Sequence, residues 1–252
     1  MSTTMNTLEE KRIMNNGDPR KEIKALLRSG DLTQLLMQAA RLHGHYCPGL
    51  AFGVMAGWSG LKRLGFDNTG MEELLAVVEC NNCFVDGIQM TTGCSLGNNA
   101  LVYKDIGKTA VTIMSRKTGS AVRIALKPRQ WDREDASDKD KEAAELFRRV
   151  VKERQQDPEA TRRMKELFRE KSFETVTMSE EELFDIVDVP ATFPEYAPIV
   201  DSETCKACGE DFMGTKKARD NGEPVCLACA GADCMSVLGR GICVLKKGAF
   251  PA

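Results

Sequence analysis

The sequence predicts an α+β core domain followed by a small C-terminal zinc-binding domain. Three observations carry this reading. Segments with helical spacing mix with short β-rich runs over most of the chain. The stretch VPATFPEYAP, with Pro190, Pro194 and Pro198, then reads as a linker. Beyond it stand two C-x2-C pairs, Cys205/Cys208 and Cys226/Cys229. The expected organisation is an N-terminal arm over residues 1–18, a metal-binding core over 19–189, a linker over 190–202 and the zinc domain over 203–252.

The arm is polar. A first helix is expected from about Arg20 to Arg28. A second begins after Asp31, a good N-cap residue, and places Leu32, Leu35, Leu36, Ala39 and Ala40 at helical spacing. Pro48 suits the first turn of a third helix, because its missing N–H costs nothing there. That helix should end near Gly65 and show Leu50, Val54, Trp58 and Leu61 on one face. Gly49, Gly53 and Gly57 recur along it every four residues. Glycine is costly in a helix, so the stripe implies close packing by another element. LLAVVE, residues 74–79, reads as a buried strand, and a short helix starts near Cys83. TAVTIM and AVRIAL, joined by RKTGS, form a β-hairpin. Residues 132–171 are charge-rich with helical apolar stripes and are expected as an outer helical pair. Glu145–Arg149 and Glu159–Arg163 stand there at i,i+4 spacing.

Composition narrows the function. The chain has 252 residues, 42% hydrophobic and 29% charged, with a formal net charge of -2. Its acidic and basic residues are interspersed, so no global attraction to nucleic acid is expected. The N-terminus lacks the apolar run of a secretory signal, and no segment approaches transmembrane length. A cytoplasmic, membrane-free protein is expected. In that reducing setting ten cysteines point to metal or redox chemistry ahead of disulfides.

Cys205, Cys208, Cys226 and Cys229 follow the pattern C-x2-C-x17-C-x2-C. Each pair presents two sulfurs at one tight turn, and two turns complete a tetrahedron around zinc. Gly209 and Gly231 suit the tight backbone there. Iron in a rubredoxin-type site is the rival metal. Two disulfides or four free thiols are the plainer alternatives. Lysines near the finger alternate with acids, so a structural role is preferred to DNA binding. Cys234 and Cys243 lie outside the quartet; packed core thiols are the default reading, with a redox pair or spare ligands as the alternatives.

The two histidines of the chain, His43 and His45, stand two residues apart, and Cys47 follows at the same step. Extended backbone would point all three the same way. Cys47 precedes a helix N-terminus, where the dipole favours thiolate. A structural His43 at the end of its helix is the plain alternative. The run ECNNCFVDGIQMTTGC adds Cys80, Cys83 and Cys94 with Asp86 and Gln89. Ligands of a core metal are drawn from His43, His45, Cys47, Cys80, Cys83 and Cys94, with His45, Cys47 and Cys83 foremost. Zinc is preferred there to iron or nickel.

HGHYCPGLAFGVMAG, then ECNNCFVDGIQMTTGCSLGNNAL, then a four-cysteine finger, resembles the FmdE family, named for a component of formylmethanofuran dehydrogenase. The resemblance covers about residues 38–128 and 203–230. It implies an α+β core, a treble-clef zinc finger, a homodimer and a core metal bound by His and Cys. An HxHxCPG motif falls on His43, His45, Cys47, Pro48 and Gly49. A CxxDAIQ-like motif falls on Cys83, Asp86, Ile88 and Gln89, with Gly87 in place of alanine. A TGCT-like motif falls on Thr92, Gly93 and Cys94, with Ser95 in place of threonine. The resemblance puts His43, His45, Cys47, Cys83 and Cys94 in the core ligand set and Gln89 beside a bound cofactor or substrate.

Three functions compete. The preferred one is an accessory metalloprotein for a molybdenum- or tungsten-type or other oxidoreductase, partnered by that enzyme. The second is an independent metal-dependent enzyme, with Cys47 and Asp86 as catalytic candidates. The third is a zinc-finger module that regulates through protein or nucleic-acid contacts. Closed four-ligand coordination in the core favours the first, and an open three-ligand site the second.

Overall fold

A computed structural model describes residues 17–65, 68–128 and 137–246. Most of the expected arm, part of the charge-rich segment and the last six residues of the expected zinc domain lie outside the described residues. The chain divides into two compact units, Met1–Phe193 and Pro194–Ala252.

The first unit is mixed α and β. Helix α1 spans Lys21–Ser29 and stops at Gly30, whose φ is 69°. Helix α2 spans Leu32–His43, and the Asp31 carboxylate caps it by accepting the Gln34 N–H at 2.9 Å. Gly44, at φ 87°, turns the chain out of α2. Helix α3 spans Pro48–Leu64 and is buried on nearly every side, as befits a helix that is apolar all round. Strand β1 (Leu74–Val78) leads through helix α4 (Cys83–Thr92) to strand β2 (Leu101–Tyr103). Strands β3 (Ala110–Ser115) and β4 (Ser120–Leu126) form the expected hairpin. Helix α5 (Asp138–Phe147) runs through a π-helical turn, Arg148–Lys152, toward helix α6 (Pro158–Thr175). A one-turn helix α7 (Glu180–Leu183) enters strand β5 (Phe184–Pro190).

The sheet order is β2-β1-β3-β4-β5. Only the β1–β2 pair is parallel, as a crossover through α4 requires. Strand alternation sorts the faces. Leu74, Ala76, Val78, Ile113, Val122 and Ile124 turn toward the helices. Leu75, Met114 and Ala121 turn the other way, against Val189 and Phe193. Thus the last residues of β5 and the start of the expected linker pack on the sheet.

The glycine stripe of α3 meets α4. A Cβ at Gly53 would lie 2.0 Å from the Phe84 carbonyl oxygen, and one at Gly87 would lie 2.5 Å from the Val54 nitrogen. The two backbones touch, and glycine is what the contact requires. The anticipated ion pairs at residues 145–163 form differently. Arg148 pairs with Glu145, Arg149 with Asp157, and Arg163 with Glu142 of α5. An i,i+3 neighbour takes Glu145, and more distant carboxylates take Arg149 and Arg163, in place of i,i+4 pairs that would each contribute only about 0.2–0.5 kcal/mol.

The described residues of the second unit form three two-stranded antiparallel ribbons. These are β6 (Ser202–Thr204) with β7 (Asp211–Met213), β8 (Lys217–Asp220) with β9 (Glu223–Cys226), and β10 (Cys234–Leu238) with β11 (Gly241–Leu245). Among its described hydrophobic residues only Cys205 and Val225 are buried. So small a core cannot hold the ribbons together by itself.

Candidate metal centres

The first centre sits where three helix ends meet. His43 is the last residue of α2, His45 follows the Gly44 turn, Cys47 caps α3, and Cys83 opens α4. The ligand atoms of His43, His45, Cys47 and Cys83 all lie within 4.8 Å of one another. His43 Nε2 stands 3.8 Å from Cys47 Sγ. Tetrahedral zinc with Zn–S bonds of about 2.3 Å has edges of about 3.8 Å, so this donor set fits such an ion. The close α3–α4 crossing makes the approach possible: a Cβ at Gly49 would lie 3.2 Å from Cys83 Cβ.

Both thiols stand at helix N-termini, where free N–H groups favour thiolate. Cys47 Sγ accepts the Leu50 N–H at 3.4 Å. The Cys83 pKa falls to about 6, chiefly through the hydrogen bond from Cys47 and then through His43. The Cys47 thiol, donating to Cys83 and buried, is pushed up in return. The pair shares one proton, which a cation would displace.

His43 is held from behind. Its Nδ1 stands 2.7 Å from Asp86 Oδ2, and Gln89 Nε2 donates to Asp86 Oδ1 at 3.0 Å. With Nδ1–H donating to Asp86 Oδ2, Nε2 is left with its lone pair toward the thiols. This is the carboxylate–histidine arrangement found behind metal-ligating imidazoles. Asp86 and Gln89 are therefore engaged in orienting a ligand. His45 is exposed, with its ring centroid 4.3 Å from that of His43. Partial burial, His43 and Lys165 hold its pKa below the ordinary value.

Two cysteines of the same motifs go elsewhere. Cys94 is not brought to this cluster. It is fully buried past the far end of α4, donates to the Leu74 carbonyl at 3.5 Å, and burial pushes its pKa up to about 11. Cys80 is buried too, 3.5 Å from Asn82 Oδ1, and burial raises its pKa.

The second centre brings Cys205, Cys208, Cys226 and Cys229 together, their sulfurs within 4.8 Å of one another. Its turns are built as C-x2-C knuckles. The Gly209 N–H returns to the Cys205 carbonyl at 2.9 Å and the Ala230 N–H to the Cys226 carbonyl at 3.0 Å. Cys205 Sγ accepts the Cys226 N–H at 3.3 Å, and Cys226 Sγ accepts the Cys229 N–H at 3.4 Å. That backbone donation lowers the Cys205 pKa to about 6, while the neighbouring sulfurs push Cys229 up to about 12. Four thiols that cannot all ionise alone are what a divalent ion resolves. Cys234 and Cys243 lie on β10 and β11, opposite Leu245 and Ser236, and join neither centre; nor are they packed core thiols, since Cys234 is exposed and Cys243 half-buried on a two-stranded ribbon.

Sequence reasoning missed the residues of α6 beside the first centre. Arg169 lies over the rings of both Tyr46 and Phe173, at 5.7 and 5.6 Å. Tyr46 stands between two of the candidate ligands, but no local pattern ties it to a helix more than a hundred residues away.

Comparison with known proteins gives three findings. The family model described as FmdE, molybdenum formylmethanofuran dehydrogenase operon, matches residues 42–185, which include the first centre. A protein of Archaeoglobus fulgidus described as a probable S-adenosyl-L-methionine-binding protein is 40% identical over 215 residues, 84% of this chain and 56% of that protein. The chain thus spans about half the length of this curated relative. The crystal structure of a protein from Syntrophus aciditrophicus, described as like the FmdE component of tungsten formylmethanofuran dehydrogenase, matches with a TM-score of 0.51 at 20% identity. The match covers 79% of this chain and 92% of that one.

Proposed function

The chain belongs to the FmdE family, and from that premise we propose that it is a metal-binding accessory protein of an oxidoreductase system. The observation that carries the reading is the meeting of His43, His45, Cys47 and Cys83 at three helix ends, with Asp86 behind His43. In this reading the core binds zinc, and the second unit is a treble-clef-like finger held by a structural zinc on Cys205, Cys208, Cys226 and Cys229. The protein works in the cytoplasm as a homodimer and meets a molybdenum- or tungsten-type enzyme.

Residue roles follow from the geometry. Cys47 and Cys83 supply the negative charge, stabilised by two helix N-termini. His43 is fixed in one tautomer by Asp86, and Gln89 fixes Asp86. His45 is the exposed member and the one most easily exchanged for an outside ligand. An ion bound by all four has no open position, which favours a structural or carrier role over water activation. The test is metal content per chain by mass spectrometry, on protein purified without added metal. The parent should hold two ions, and Cys47→Ser and Cys205→Ser should each lose a different one. A single ion, lost only with Cys205→Ser, would remove the core site.

A second reading takes its support from the Archaeoglobus relative: this chain, too, binds S-adenosyl-L-methionine. Titration calorimetry decides it. No heat at millimolar ligand ends that reading without touching the metal sites.

A further inference from the structure

Helix α6 carries five cations, and their partners differ sharply. Arg162 pairs with Glu166, Arg163 with Glu142 and Glu166, and Lys171 with Asp140. Lys165 and Arg169 have no carboxylate partner among the described residues. They are four residues apart, so they share one face of the helix. The nearest acids of α6 are engaged elsewhere: Glu166 with two arginines and Glu170 with Lys139.

That face adjoins the first centre. The Arg169 guanidinium lies over Tyr46, whose chain neighbours include His45, and over Phe173, with the two rings 5.3 Å apart. Lying over two rings holds the guanidinium in place and uses none of its N–H groups. Lys165 stands one helical turn before Arg169 on the face that Tyr46 covers. On its other side Lys165 borders an open cavity of about 400 Å³ lined by residues 156–165, which Arg169 does not line. Asp157 lines that cavity, but its carboxylate is committed to the Ala160 N–H and to Arg149.

We propose that Lys165 and Arg169 form a binding site for the carboxylate of a small-molecule ligand, at the exposed rim of the His43/His45/Cys47/Cys83 cluster. The site joins a fixed, fork-shaped donor to a mobile ammonium, a combination suited to an oxyanion. The inference rests on the reading of that cluster as the functional centre of the chain. An anion here would lie beside Tyr46, which stands in the chain between the candidate ligands His45 and Cys47.

The experiment is titration calorimetry of the full-length, zinc-loaded protein with succinate, using succinamide as the uncharged control. Metal content is measured on the same samples. Succinate should bind and succinamide should not. Lys165→Gln and Arg169→Gln should each weaken succinate by about tenfold, the loss expected when one charge-assisted contact is removed. Lys165 is exposed, so Lys165→Gln leaves the fold intact and guards against a variant that merely unfolds. Two ions per chain with no succinate binding, or with equal affinity in parent and variants, would overturn the anion site and leave the metal reading standing. One ion per chain, with succinate binding that is lost in Lys165→Gln, would keep the anion site and remove the core metal.

Discussion

Replacing Gly53 by alanine tests the fold and the first centre together. A helical Gly→Ala change on a free surface should stabilise by about 1 kcal/mol. Here the added Cβ would sit 2.0 Å from the Phe84 carbonyl oxygen and 3.0 Å from Gly87 Cα. An ordinary carbon–oxygen contact is about 3.3 Å, so α3 and α4 must part by about 1 Å. Overpacking typically costs about 1–3 kcal/mol, and backbone against backbone lies at the upper end. The net loss is about 2 kcal/mol, or roughly 4–8 °C in Tm for a domain of this size. The same two helices present Cys47 and Cys83, so parting them also separates the sulfurs. The assay is thermal unfolding followed by circular dichroism, with zinc retention against a chelator measured in parallel. Gly53→Ala should melt lower and release the core zinc sooner. A Tm equal to or above the parent's would refute the close crossing and the route by which it assembles the site.

Other outcomes can be checked independently. Asp86→Asn keeps the shape but removes the charge behind His43, and should lower core zinc affinity by about 10–100-fold in chelator competition; unchanged affinity would deny Asp86 its orienting role. Cys94→Ala should leave two ions per chain and cost only packing stability, whereas loss of one ion would return Cys94 to the ligand set. Glu79 accepts two hydrogen bonds from Arg123, at 2.7 and 2.8 Å, and these hold its carboxyl below the ordinary value of 4.5. A depressed folded-state pKa stabilises above the unfolded value and is lost as pH falls through the folded one. Stability of the first unit should therefore drop below about pH 4.5, and Glu79→Gln should flatten that part of the profile; identical acid limbs would refute the assignment.

Helix ends were legible because their signals are chemical. Asp31, Pro48 and Gly65 mark caps and stops that no tertiary contact overrides. The spacing of Gly49, Gly53 and Gly57 announced a close neighbour, and α4 is that neighbour. The strands β2 and β5 were not legible. Three residues of β2 carry no period, and Asp185 and Asp188 interrupt the apolar run of β5, which pairs as an edge strand with only β4. His43, His45, Cys47 and Cys83 could be gathered from motif spacing, but Cys94 could not be separated from them. Ten helical residues lie between the start of α4 and its stop at Gly93. At about 1.5 Å per residue they carry Cys94 about 15 Å along the axis from Cys83. The role of α6 was hidden for another reason: in sequence, Lys165 and Arg169 look like any solvated pair until their neighbours are known to be engaged.

The two centres also differ in what a metal does for the chain. The ligands of the first stand on helices already fixed by a large apolar core, with Leu50, Val54, Phe84 and Ile88 fully or almost fully buried. Ordering them costs little further entropy when an ion arrives, so the ion can exchange without unfolding its host. The described residues of the second unit bury almost nothing apolar, so in the proposed reading its ligands would be ordered by the ion itself and binding there would be folding. A chelator should therefore melt the ribbons around Cys205–Cys229 while the sheet and its helices stay folded. In the proposed reading that asymmetry makes the first centre the carrier and the second the staple. A site that keeps its shape without its ion, with one exposed ligand at its rim, can receive and release; a site that exists only with its ion can only hold.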